Sequence, residues 1–274
     1  GPAGWSAAML SLLTAEKSFD DPWVGHRWLN TRLPLHALRM RLAAYCAQLR
    51  ASRAQRSAAP PRVLEAAARL AEDGCCLLTE ALPEEVFALL AASPTPSEEA
   101  VEAARQALKP MLDNLSRRAL GLPFPVAGAR ITAAEPAERA GDGCEPTEFW
   151  HRDAFCPGLR FWLTLTPVGD GDGPLAYMPG SHRLSDERLA WEAMVARRCA
   201  TLRGATFSKS GRFLLSEAEA RRLGGRPAVF TAAPNTLIVI NTLGIHARLP
   251  AERLRERRAL EGRFTPAPFD FRAA

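Results

Sequence analysis

The 274-residue sequence predicts a mainly β fold, a sandwich or barrel with flanking helices. From about residue 126, short apolar or alternating runs recur, separated by turn residues such as Gly141-Asp142-Gly143 and Pro179-Gly180. Many short strands with this punctuation are typical of a sandwich or barrel. Before residue 126 the apolar residues recur at helical spacing, which predicts helices there. The predicted strands are 126–133, 148–152, 159–166, 175–178, 228–232, 236–241 and 257–264.

Residues 3–61 form a predicted helical N-terminal extension. Apolar residues recur at helical spacing in 6–16 and 34–56, and Ser57-Ala58-Ala59-Pro60-Pro61 breaks the pattern as a linker. We expect the extension to pack on the main domain rather than to bind a membrane surface or a partner. Gly1-Pro2 resembles the remnant that a protease leaves after removal of an expression tag.

The main domain is predicted to span residues 62–274. Its opening elements are a helix at 62–72, a strand at Cys75–Leu78, a helix at 83–90 and a helix at 97–115. Proline lacks a backbone N–H and clashes with the preceding turn, so Pro110 predicts a break in the last of these helices. Residues 183–227 are predicted to be an insertion, helical near both ends with a polar middle. Since long insertions in compact domains are usually functional, we expect a lid or a substrate-binding region there.

Composition narrows the classes of protein and partner. The chain is 47% hydrophobic and 24% charged, enough apolar content for a substantial core and too much for disorder. No run of about 18 apolar residues occurs, so no membrane span is predicted. The net charge is +5. The basic stretches 32–56 and 253–258 lie in no nucleic-acid recognition motif, so we expect no nucleic-acid partner.

The six cysteines and the N-terminal sequence bear on the compartment. No pair of cysteines has CxxC spacing, Cys75 and Cys76 are adjacent, and no signal peptide is visible. These features predict reduced thiols and a cytoplasmic location. The oligomeric state is left open.

One histidine-carboxylate pattern points to metal chemistry. His151 and Asp153 are two residues apart, so on a strand they face the same way, and His246 lies 95 positions later. Two histidines and one carboxylate with open coordination positions suit non-heme Fe(II) oxygen chemistry. An HxD match alone is unspecific, because it occurs by chance on many protein surfaces.

The residues around this pattern resemble one known family. Gly173-Pro174-Leu175 followed by Pro179-Gly180-Ser181-His182-Arg183 resembles the GPL…PGSHR segment of the phytanoyl-CoA dioxygenase (PhyH)-like family of Fe(II)/2-oxoglutarate-dependent oxygenases. Further pieces follow in the family's order over residues 63–266. They are Glu72-Asp73-Gly74, Trp150-His151-Arg152-Asp153, Arg160-Phe161-Trp162-Leu163-Thr164-Leu165, Ala233–Ile240, the distal His246, and an arginine eleven residues after that histidine. HxD alone is weak, whereas these motifs in this order are specific.

The resemblance implies a double-stranded β-helix, a cupin-like jelly roll, with the metal between its two sheets. It implies that His151, Asp153 and His246 ligate Fe(II), and that 2-oxoglutarate and O2 are co-substrates. Arg257, eleven residues after His246, takes the family's 2-oxoglutarate-binding position, and a one-residue bulge would give that position to Arg258. Related halogenases lack the acidic ligand, so Asp153 favours hydroxylation over halogenation.

Four further residues are candidates for the substrate pocket or for positions next to the ligands: Trp162, His182, Arg183 and Arg248. A structural role competes for each of them, most strongly for His182 in its turn. Relatives often carry a small, polar stretch where this chain has Ala247-Arg248-Leu249-Pro250. This departure argues against carrying over phytanoyl-CoA itself as the substrate.

The resulting hypothesis is a bacterial-type hydroxylase that oxidises an unactivated C–H bond of a small molecule while 2-oxoglutarate becomes succinate. Natural-product or envelope-glycan tailoring fits such chemistry. One alternative is a cupin-like metal-dependent isomerase or hydrolase, which would need no arginine at position 257. Another is a non-catalytic ligand-binding jelly roll, which would need no intact triad.

Overall fold

A computed structural model describes residues 35–55, 57–134, 150–202, 208–209, 212–252 and 256–272 of the chain. The helices are α1 (Leu35–Arg53), α2 (Pro61–Asp73), α3 (Glu84–Ala91), α4 (Glu98–Leu120), α5 (Asp186–Leu202) and α6 (Glu217–Gly224). The strands are β1 (Cys75–Leu78), β2 (Arg130–Ala134), β3 (Trp150–Arg152), β4 (Leu159–Thr164), β5 (Leu175–Tyr177), β6 (Ser208–Lys209), β7 (Arg212–Leu215), β8 (Ala228–Phe230), β9 (Leu237–Asn241), β10 (His246–Arg248) and β11 (Arg257–Phe264).

Within the described residues the strands form two antiparallel sheets. The five-stranded sheet has the order β1-β9-β4-β11-β2, and the six-stranded sheet has the order β6-β7-β3-β10-β5-β8. Strands that are distant in sequence are neighbours in each sheet, as in a jelly roll. The predicted fold class, mainly β with flanking helices around a jelly-roll core, is therefore confirmed.

The five-stranded sheet packs its outer face against α2, α3 and α4. Alternate residues of β4 and β11, such as Phe161, Leu163 and Leu260, are fully buried in a large apolar core shared with these helices. The residues between them, such as Trp162 and Ala259, point to the interior between the two sheets. The period-two alternation of β4 and β11 thus separates a helix-packing face from a cavity face.

Helix α4 corrects one prediction, because it runs without a break through Pro110. Ser97 caps its N-terminus by accepting a hydrogen bond from the backbone of Ala100, and Gly121 ends it in the left-handed conformation. On either side of the proline, Leu108 and Leu112 are buried in the main core. The free energy gained by burying these two leucines outweighs the loss of the one backbone hydrogen bond that Pro110 cannot donate.

The 183–227 segment holds more than the predicted helices. Its middle contributes β7, which pairs with β3 along Trp150↔Leu215, His151↔Leu214 and Arg152↔Phe213. The strand β6 pairs with β7 in turn. Part of this predicted insertion is therefore built into the six-stranded sheet. Another strand that was not predicted, β10, begins at His246.

Helix α1, which falls in the predicted N-terminal extension, lies against α4 and α5. Its Arg50 Nε donates a hydrogen bond of 3.0 Å to the carbonyl of Leu120 at the end of α4. Its His36 side chain is buried against α5. The helix predicted at 6–16 lies outside the described residues.

Two smaller predictions can be compared with the structure. Residues Val126–Gly128, predicted as the start of a strand, form a 3-10 turn ahead of β2. No helix among the described residues is long and apolar enough to cross a membrane.

Candidate metal centre

Three predicted ligands converge between the sheets. His151 lies on β3 and His246 on β10, and the two residues pair directly across these strands. Asp153 follows β3, and its backbone N–H is anchored to the carbonyl of Thr242 at 3.1 Å. His151 Nε2 lies 3.6 Å from Asp153 Oδ1, and His246 Nε2 lies 3.8 Å from Asp153 Oδ2. One candidate ligand atom from each residue lies within 4.8 Å of the others, which is close enough for one ion to contact all three.

The donor atoms of this triad fit a metal ion. All three side chains are buried, yet both carboxylate oxygens of Asp153 and the Nε2 of His246 have no hydrogen-bond partner. A buried carboxylate without such partners is costly unless cations satisfy it, and Arg212 and Arg263 do so only in part, from 3.2 and 3.8 Å. The other ring nitrogen of His246, Nδ1, donates to the carbonyl of Gly244 at 3.0 Å, which leaves the lone pair of Nε2 facing Asp153.

The electrostatics of the triad also suit a divalent cation. Burial lowers the pKa of His246, only partly offset by Asp153, so its imidazole is neutral at neutral pH. Burial by itself would raise the pKa of Asp153. The positive charges of its neighbours, His246 in its protonated form and Arg263 foremost, outweigh burial and hold that pKa below its usual range. A neutral imidazole and an ionised carboxylate are the forms that bind metal.

A cavity of about 240 Å³ opens beside the two histidines. It combines apolar walls with several cationic side chains. Besides His151 and His246, its lining includes Trp162, Leu175, Phe230, Ile238, Arg248 and Arg257. Of the residues predicted from the sequence, the structure therefore brings the triad, Trp162, Arg248 and Arg257 to one place.

Arg257 and Arg258 use their side chains differently. Arg257 shares the cavity-facing alternation of β11 with Ala259, and its guanidinium donates to the carbonyl of Gly173 while its Nε has no partner. Burial, and then the charge of Arg248, lowers the pKa of Arg257 to about 10, so it stays cationic. Arg258 also borders the cavity, but its guanidinium donates to the carbonyl of Ser93 after α3.

His182 and Arg183 are not among the residues that line this cavity. His182 Nε2 lies 3.2 Å from the carbonyl of Ala71 and so ties the Pro179-Gly180 turn to α2. Arg183 is exposed. The structure therefore gives His182 a structural contact and gives Arg183 none with the triad.

Three arginines near the triad were not predicted from the sequence. Arg212 Nε lies 3.2 Å from Asp153 Oδ1, and Arg263 Nη2 lies 3.8 Å from Asp153 Oδ2. Arg160 lines the cavity, and its guanidinium lies 4.6 Å from the ring centroid of Trp162. Arg263 could have been found from the alternation of β11, because it is six residues after Arg257 and faces the same way.

A buried ionic cluster fixes β3 from its other side. Arg152, between the two ligands of the HxD pattern, has its Nε 3.1 Å from Glu192 Oε1 on α5. Glu192 also accepts from Arg188 at 3.0 Å and contacts His36 Nε2 at 2.8 Å. Glu192 is fully buried, and its pKa is well below the usual range because the two arginines outweigh the cost of burial. Sequence reasoning missed this cluster, since its members come from three distant elements.

Comparison with known proteins finds similarity only among solved structures. No protein-family model matches the chain, and no curated protein matches it. AviO1 from Streptomyces viridochromogenes Tue57 is 16% identical, with a TM-score of 0.46 over 77% of this chain and 98% of that chain.

Two further similar structures contain ligands. The epimerase SnoN, in complex with Fe3+, alpha ketoglutarate and nogalamycin RO, is 14% identical with a TM-score of 0.49, over 75% of this chain and 84% of that chain. EctD from S. alaskensis, with 2-oxoglutarate and 5-hydroxyectoine, is 16% identical with a TM-score of 0.42, over 76% and 78%. Membership of the phytanoyl-CoA dioxygenase-like family stays a prediction, and the residues of the site carry the functional assignment.

Proposed function

We propose that this protein is a non-heme Fe(II)/2-oxoglutarate-dependent dioxygenase that hydroxylates an unactivated C–H bond of a small molecule. The observation that carries the proposal is the buried triad of His151, Asp153 and His246, whose candidate ligand atoms all lie within 4.8 Å of one another. Arg257, which lines the same cavity, supports 2-oxoglutarate as co-substrate. The similar structures of SnoN and EctD, described with iron or 2-oxoglutarate, are consistent with these cofactors.

Fe(II), once bound, would supply the oxidising chemistry of the site. With Fe(II) bound, 2-oxoglutarate and O2 are consumed to give succinate and CO2, and the substrate C–H bond becomes an alcohol. Within the protein, His151, Asp153 and His246 would hold the ion on one side and leave its other side open to the cavity.

The cavity residues orient the co-substrate and exclude water. The guanidinium of Arg257 can bind the distal carboxylate of 2-oxoglutarate through two parallel hydrogen bonds. Because Arg257 is largely buried, water screens that ion pair poorly. The apolar side chains of Leu175, Phe230 and Ile238 line the same cavity and would pack against the methylene carbons of the co-substrate.

The first test is spectroscopic and catalytic. Purified protein loaded anaerobically with Fe(II) and 2-oxoglutarate should show the weak visible charge-transfer band of a 2-oxoglutarate chelate. It should release succinate slowly when O2 is admitted. We expect His151→Ala and Asp153→Ala to remove both signals. Absence of both signals from the iron-loaded wild-type protein would exclude an oxygenase and favour the isomerase, hydrolase or binding-module alternatives.

Arg257 and Arg258 provide a matched pair for the co-substrate. Arg257→Gln should raise the 2-oxoglutarate concentration needed for half-maximal band intensity by about tenfold or more, because a charged hydrogen-bonding group is lost. Its Fe(II) affinity should stay unchanged. Arg258→Gln should leave both values near wild type. The reverse result would assign the co-substrate to Arg258.

A further inference from the structure

We propose that the primary substrate is an organic anion, and that Arg160, Arg212 and Arg263 bind its carboxylate or phosphate group beside the metal ligands. This inference rests on the proposed function, since it concerns what those three arginines do once the triad holds an ion.

The three arginines come from both sheets, and two of them lie next to the carboxylate of Asp153. Arg160 lies on β4 and Arg263 on β11, where they are direct cross-strand partners. Arg212 lies on β7 of the opposite sheet. Arg212 and Arg263 lie 3.2 and 3.8 Å from the carboxylate of Asp153, and Arg160 lines the cavity next to the two histidines. A cationic rim therefore spans the gap between the sheets at the triad.

The charge balance of this rim depends on Asp153. The carboxylate of Asp153 is the acidic group in contact with Arg212 and Arg263. Glu261 balances Arg160, whose Nη2 lies 3.0 Å from Glu261 Oε2. The negative charge of Asp153 neutralises part of the charge of a divalent ion bound by the triad. The net charge of the triad therefore changes from negative to positive when the ion binds. Among the described residues, Arg212 and Arg263 then have to share their counter-charge, the carboxylate of Asp153, with the ion.

The co-substrate does not restore this balance. Its carboxylate at the ion only neutralises the centre, and its other carboxylate is assigned to Arg257. Arg257 and Arg263 lie at opposite ends of the inward row of β11, so the two cationic groups serve different anions. An acidic group on the primary substrate, close to the carbon that is oxidised, supplies the missing negative charge.

The side chains of the rim are placed for such contacts. The side chains of Arg212 and Arg263 are 22% and 42% exposed, so a ligand from solvent can reach them. The guanidinium of Arg160 lies over the ring of Trp162, which restricts its motion. Guanidinium groups bind carboxylates and phosphates through paired hydrogen bonds. The rim thus offers fork-shaped donors next to an aromatic face that suits an apolar substrate body.

The test measures binding rather than turnover. Protein loaded anaerobically with Fe(II) is saturated with N-oxalylglycine, a 2-oxoglutarate analogue that is not decarboxylated, so that Arg257 is occupied. Phenylacetate, phenyl phosphate and the neutral isostere phenylacetamide are then titrated by calorimetry at low ionic strength, because salt screens exposed charges. We expect both anions to bind, and phenylacetamide to bind at least about tenfold more weakly than phenylacetate. The better of the two anions identifies carboxylate or phosphate as the natural group.

Variants assign the binding to the rim. Arg212→Gln and Arg263→Gln should each weaken phenylacetate binding about tenfold. Arg221→Gln, which removes an exposed arginine paired with Glu217 on α6, is the matched control and should change nothing. Equal binding of phenylacetate and phenylacetamide, or wild-type affinity in both rim variants, would overturn the inference.

The two proposals fail in different ways. If the charge-transfer band with 2-oxoglutarate forms but neither anion binds, the anionic-substrate inference is wrong and the dioxygenase proposal stands. If the band does not form at all, the dioxygenase proposal is wrong, and the inference falls with it.

Discussion

The two sheets that enclose the cavity are held from behind in different ways. Behind the five-stranded sheet, Phe161, Leu163 and Leu260 pack against helices in an apolar core. Behind β3 of the six-stranded sheet, an apolar cluster that includes Trp150 and Trp191 is joined by the buried ionic pair of Arg152 and Glu192. Apolar packing is non-directional, whereas charged hydrogen bonds fix distances and angles. Strand β3, which carries the candidate ligand His151, is thus held by directional contacts in addition to apolar packing.

The largest expected effect comes from the ionic side of this comparison. Glu192→Ala leaves Arg152 and Arg188 buried without their carboxylate, which should lower the free energy of unfolding by about 3–5 kcal/mol. Because Arg152 lies between His151 and Asp153, Fe(II) affinity should also fall. Urea unfolding and anaerobic Fe(II) titration measure the two effects. Glu187→Ala, on the exposed face of the same helix, is the control and should change stability by less than about 0.5 kcal/mol.

The matching change on the apolar side should separate stability from metal binding. Leu163→Ala opens a space in the main core and should cost about 3 kcal/mol. Since Leu163 faces the helices and not the cavity, Fe(II) affinity under native conditions should stay at the wild-type value. If Leu163→Ala weakened Fe(II) binding as much as Glu192→Ala, the two sheets would not differ in the way described.

A smaller effect should appear in the pH dependence of stability. Burial lowers the pKa of His36 from 6.5 to about 4, against the hydrogen bond and charge of Glu192. As pH falls through 6.5, the unfolded chain takes up a proton that the folded imidazole does not, so stability decreases until about pH 4. Each pH unit in this window costs about 1.4 kcal/mol.

His36→Gln keeps a neutral hydrogen-bonding side chain and removes this titration. Unfolding free energies measured between pH 7 and pH 4 should therefore fall less steeply in this variant than in the wild type, by roughly the slope given above. Identical slopes in the two proteins would show that His36 is not the group responsible.

The features that the sequence predicted are those that depend on local patterns. Alternation and turn residues predicted the bounds of β4, β9 and β11 closely. The two-residue spacing of His151 and Asp153 predicted that their side chains point to the same place. The sequence motifs, taken together, put His246 opposite them. The position eleven residues after His246 likewise identified Arg257, which lies on the cavity face of β11.

The features that were missed depend on contacts between distant segments. The strand β7 has only four residues, and pairing with β3 is what makes it a strand. Helix α4 continues through Pro110 because residues on both sides of the proline are buried in the core. A short stretch of sequence does not show that burial. Arg212 reaches Asp153 only when its strand is paired in the six-stranded sheet, so nothing in its own segment marks it.

The direct pairing of His151 with His246 has a consequence for how the chain folds. These residues are 95 positions apart, so an ion bound by both acts as a reversible crosslink that closes a long loop. Closing such a loop is entropically costly for the unfolded chain, which therefore binds the ion poorly. The ion accordingly favours the fully assembled double sheet over partly folded states by mass action. A chelator that removes the ion would therefore lower the stability of the whole jelly roll as well as stop its chemistry.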